Sequence, residues 1–95
     1  DKKRQAEAEI LLLEEEIRAA RESLRILKNL AQDHRQLSEK TRRGFEEGVG
    51  GMVEVLEAVR ALREVELELH EADKRVKLLQ VELLSAKGAL LEGMK

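Results

Sequence analysis

The sequence predicts an all-α fold: a long antiparallel two-helix coiled-coil hairpin. Three observations carry this reading. Four of the six glycines (Gly44, Gly48, Gly50 and Gly51) fall within eight positions near the middle of a 95-residue chain. No proline occurs, and outside the cluster no glycine interrupts the chain until Gly88. On both sides of the cluster, apolar residues recur at steps of three and four, the spacing of one helix face. Glycines between two such segments mark a helix stop, a turn and a helix restart.

The first helix is expected over about residues 4–47, behind a polar start that Asp1 can cap. Its seam runs Ile10, Leu13, Ile17, Ala20, Leu24, Leu27, Ala31, His34, Ser38, Thr41, Phe45. It is apolar at the start and turns to His, Ser and Thr toward the glycines. A second line, Leu12, Ala19, Ile26, Leu30 and Leu37, runs beside it and implies a further helical neighbour. The turn is expected over about 48–51, and the second helix over about 52–92. There the same spacing returns as Val55, Ala58, Leu62, Val65, Leu69, Ala72, Val76, Leu79, Leu83, Ala86, Leu90.

Folded back at the glycines, the two seams select one register. Phe45 faces Val55, Thr41 faces Ala58, and so on out to Ile10 facing Leu90, the paired numbers totalling 100 and 99 in alternation. Two independent patterns agreeing on one pairing is the consistency expected of a specified fold. Leu67, Leu78, Val81, Leu84 and Leu91 lie off the second seam and again imply added neighbours. Glu71 with Lys74 and Arg75 reads as a solvated face, worth tenths of a kcal/mol per pair.

Composition limits the function. Charged residues make up 40 % and aromatics 1 %, which suits a coiled coil rather than a rounded globular core. Net charge is −2 with both signs mixed, so there is no electrostatic footprint for nucleic acid or anionic lipid. With no Cys there are no disulfides or thiolate metal sites. No apolar run approaches the roughly 20 residues that span a bilayer. His34 and His70 do not form a zinc spacing, and the glycines are not a phosphate loop, because no strand precedes them and no Lys-Ser/Thr follows. His34 reads as a tolerated polar seam residue or a pH switch, and Met52 as a residue packed at the tip. No cofactor or metal is expected. A two-helix hairpin has no cleft to tune catalytic groups, so an enzyme is the least favoured class.

Two features of the tip have both a bland and a functional reading. Glu54 and Glu57 sit one turn apart at the start of the second helix. They compensate the helix dipole or, in an oligomer, form acidic rings at a pore mouth. Val49 is a β-branched apolar residue between glycines at the apex. It is either an incidental turn residue or a docking knob whose backbone the glycines leave open to a partner.

The run Gly44-Phe45-Glu46-Glu47-Gly48-Val49-Gly50-Gly51-Met52-Val53-Glu54-Val55-Leu56-Glu57-Ala58 resembles the periplasmic tip of the TolC family of outer-membrane efflux channels. The likeness continues through Arg60-Ala61-Leu62 to Ser85-Ala86-Lys87-Gly88. It implies a trimeric parent channel whose β-barrel sits in the outer membrane and whose helical barrel crosses the periplasm in tripartite efflux or type I secretion. By that likeness Phe45, Gly48, Val49, Gly50 and Gly51 would form the tip that docks the hairpin of a periplasmic adaptor. Glu54 and Glu57 match the family's acidic positions around the pore entrance. Phe45 and Gly50 depart from the family's usual Tyr and basic or hydroxyl residue, so they lack the groups for a hydrogen-bonded lock. The membrane barrel lies outside this chain, which reads as an excised or naturally reduced tip. The alternative is a free-standing coiled-coil hairpin acting as a scaffold or oligomerisation module. An adaptor's own hairpin is disfavoured by the absence of an Arg-x3-Leu-x6-Ser stretch.

Overall fold

The computed structural model describes residues 1–93. It is an all-helical antiparallel hairpin of two helices, α1 (Lys2–Glu46) and α2 (Met52–Gly93). Asp1 caps α1: its Oδ1 accepts a hydrogen bond from the Lys3 N–H (3.1 Å) and its carbonyl accepts one from the Gln5 N–H (3.1 Å). That satisfies donors a helix start otherwise leaves open. By contacts the chain divides into a terminal unit (residues 1–23 with 72–93) and a tip unit (24–71).

In the terminal unit, Ile10, Leu13, Ile17 and Ala20 of α1 and Val76 and Leu79 of α2 are buried. Ala72, Leu83, Ala86 and Leu90 are half-buried beside them. Every one is a residue of the expected seam. Burying an aliphatic side chain of this kind contributes about 1.5–3 kcal/mol. Leu11, Leu12, Leu78, Val81, Leu84 and Leu91 remain exposed.

In the tip unit only Ala31 and Val65 are buried. Leu24, Leu27, His34, Ser38, Thr41, Val55, Ala58, Leu62 and Leu69 are half-buried, again at seam positions. Small and polar seam residues explain the thinner core. Thr41 turns its hydroxyl back to the Leu37 carbonyl (2.7 Å), so the polar seam group is satisfied within its own helix. Arg35 reaches Glu66 across the seam at 3.8 Å, with both side chains about half exposed, a geometry worth roughly 0–1 kcal/mol.

One seam assignment is corrected. Phe45 is 39 % exposed, and Gly44 takes the half-buried position instead. The heptad line holds through Thr41, and the change comes at the helix end, where the chain wraps back so that the Val49 carbonyl lies over Gly44. Met52, expected to pack at the tip, is also exposed.

Candidate docking tip

The end of α1 is closed by its backbone. The Gly48 N–H donates to the Phe45 carbonyl (3.1 Å) and the Val49 N–H to the Gly44 carbonyl (2.7 Å). These two bonds are the paired closure of a Schellman motif, with Gly48 at its left-handed position, φ +81°. The motif needs a second glycine for a different reason. A Cβ placed on Gly44 would lie 2.8 Å from the Val49 carbonyl oxygen, so the chain can wrap back only over a bare Cα. The sequence marks the stop through its glycine cluster. It does not show that Gly44 serves a close approach while Gly48 serves a positive φ.

Gly50 is also left-handed, with φ +98°, and Gly51 then precedes α2, its carbonyl accepting from the Val55 N–H at 3.4 Å. Glu54 lies in the first turn of α2 and folds back toward the turn. A Cβ on Gly50 would meet its Oε2 at 3.2 Å. The carboxylate thus sits where a helix N-terminus favours negative charge. Glu57 is exposed and forms no ion pair among the described residues. The two carboxylates are therefore in unlike settings, one folded over the turn and one facing solvent.

Val49 is 70 % exposed at the apex. Phe45, Met52, Val53 and Leu56 are exposed near it in sequence, so the tip carries five solvent-facing apolar side chains. Met52, Val53 and Leu56 were not singled out from sequence as surface residues; their steps from Val49 follow no single helical face, because the turn intervenes. A shallow groove of ≈ 600 Å³ runs from Val49 along α1 past Glu47, Gly44, Arg43, Lys40 and Gln36. On the same helix Arg42 bonds Glu39 and Glu46, and Arg43 approaches Glu39 at 3.7 Å. The Glu39 hydrogen bond, then the charges of Glu39 and Glu46, raise the Arg42 pKa above its ordinary value. A guanidinium is already charged at any physiological pH, so this is a brace rather than a switch.

His34 is half-buried in the seam and His70 is exposed. Among the described residues no group of His, Asp or Glu could hold a metal ion, and no helix is long and apolar enough to cross a membrane. The tip is thus a glycine-built turn presenting apolar side chains and flanked by charge. Comparison with protein-family models, curated proteins and solved structures finds no match for this chain.

Proposed function

We propose that this hairpin is the docking tip of a TolC-like channel, binding the helical hairpin of a periplasmic adaptor in a tripartite efflux or type I secretion assembly. The observation that carries the reading is the apex itself. Val49 projects into solvent between Gly48 and Gly50, so its immediate chain neighbours carry no side chain. An apolar residue held out between glycines suits close tip-to-tip approach by another helix end. The likeness of the surrounding run to the TolC-family tip supplies the partner class. In a ring of such hairpins, Glu54 and Glu57 would line the entrance and favour cations. The hairpin acts by assembly rather than by catalysis.

Val49→Asp in the parent protein tests this. The side chain contributes nothing to the buried seam, so the circular dichroism of the variant is expected to match the wild type. Adaptor capture should fall roughly tenfold or more, the scale of a charge placed in an apolar contact. Undiminished capture would remove Val49 from the docking surface. Loss of helix content would make it a structural residue.

A further inference from the structure

The terminal unit holds a groove that the docking tip does not use. It is an open cavity of ≈ 520 Å³ between α1 and α2. Small-molecule sites occupy roughly 300–1,000 Å³. Ile17, Leu83 and Leu84 give it an apolar floor and wall, and Arg18, Arg21 and Gln80 reach into it with polar groups. Ile17 is buried and Leu83 and Gln80 are half-buried, while Leu84 and both arginines are exposed.

The charges in the groove are sorted along its length. Glu14 and Lys87 line the end nearer Leu13 and Ala86, where their opposite charges offset each other. Arg21 and Gln80 line the other end, beside Ala20 and Leu79, with Arg18 between. Neither arginine forms an ion pair among the described residues. The helix gives Arg21 no acid to pair with: the residues three and four away are Ile17, Arg18, Leu24 and Arg25. Like charges one turn apart repel. The chain as a whole carries a net charge of −2, so this is a local concentration of uncompensated positive charge over an apolar floor.

We propose that this groove binds a small amphiphilic carboxylate, an anionic head on a single alkyl chain. The head pairs with Arg18 and Arg21 at the open end and accepts a hydrogen bond from the Gln80 amide. A guanidinium suits a carboxylate because its donors match both oxygens. The alkyl chain lies along Ile17, Leu83 and Leu84 toward Lys87. From Glu14 to Arg21 the groove runs two turns of α1, roughly 10 Å. That length suits a medium alkyl chain and is too short to seat a partner helix along its apolar face. Nor do three cations on a chain of net negative charge make the broad basic face that draws a protein to an anionic membrane. The site lies wholly in the terminal unit and makes no use of Val49, so its failure would leave the docking tip standing, and the reverse holds.

The test is calorimetric titration of the purified full chain with sodium decanoate below its micelle-forming concentration, with circular dichroism as the control for folding. Saturable binding of one decanoate per chain is expected, with helix content unchanged. Decyltrimethylammonium keeps the chain and reverses the charge; acetate keeps the head and drops the chain. Each is expected to bind roughly tenfold or more weakly than decanoate. Arg18→Gln with Arg21→Gln should weaken decanoate binding roughly tenfold or more, the scale of losing charge-assisted hydrogen bonds. Leu84→Ser should weaken it too, and all three residues are exposed, so the variants should keep their helix content. Arg60→Gln with Arg63→Gln removes two exposed cations outside the groove and should leave binding as it is. No decanoate binding, equal binding of the cationic amphiphile or of acetate, or arginine variants that bind like the wild type would each overturn the proposal. So would a loss of helix content on adding decanoate, which would make the effect that of a denaturing detergent.

Discussion

The terminal unit and the tip unit share one heptad grammar and use it for opposite ends. The terminal unit buries six seam residues, five of them Ile, Leu or Val on facing helices, with Ala20 the sixth. The tip unit buries only Ala31 and Val65, and fills the rest of its seam with His34, Ser38, Thr41, Ala58 and half-buried leucines. Stability in a two-helix hairpin comes from the burial of large aliphatic side chains. It is therefore concentrated in the terminal unit, while the tip unit keeps a thin seam and spends its apolar residues on the surface. A segment with few buried apolar contacts opens at lower free energy than one with many.

The largest break of this contrast is Ile17→Ala. Ile17 is 5 % exposed, and truncating it should lower unfolding free energy by about 2–4 kcal/mol in urea titration at fixed chain concentration. A loss no larger than that of an exposed leucine such as Leu67 would mean the terminal seam is not the main source of stability. Next come two glycines with opposite expected signs. Gly48→Ala puts a side chain at a positive φ and should cost about 1–2 kcal/mol. Gly88→Ala, in open space within α2, should stabilise by about 0.5–1 kcal/mol. Equal signs would contradict the assignment of Gly48 as the left-handed closure. His34→Leu makes the tip seam more like the terminal one and should raise the midpoint by an amount near 1 kcal/mol. A destabilised variant would give His34 a structural role that the half-buried seam position does not. The smallest effect belongs to Glu66→Gln, which breaks the exposed 3.8 Å pair with Arg35 and should change stability by less than about 0.5 kcal/mol.

The seam was legible in the sequence because its signal repeats: Ile10 to Ala31 and Val55 to Leu90 each give many steps of three and four, and each fixes the other's register. Phe45 was misplaced because heptad counting ignores the end of the helix, where the chain wraps back over Gly44 and covers it in place of Phe45. The turn's position was legible from glycine clustering. Its mechanism was not, because composition does not separate a glycine needed for positive φ, as at Gly48, from one needed for the Val49 carbonyl's approach, as at Gly44. The unlike settings of Glu54 and Glu57 were hidden for a related reason: a spacing of three puts both on one turn, but only Glu54 is within reach of Gly50.

The docking reading meets its most direct test in a photo-crosslinking residue placed at Val49 of the parent protein, in its own cells, with captured partners identified by mass spectrometry. The account predicts capture of a periplasmic adaptor, with the crosslink mapped to that partner's hairpin tip. Capture of further copies of this chain alone, or of a cytoplasmic protein, would contradict it and leave a self-associating coiled-coil scaffold in its place.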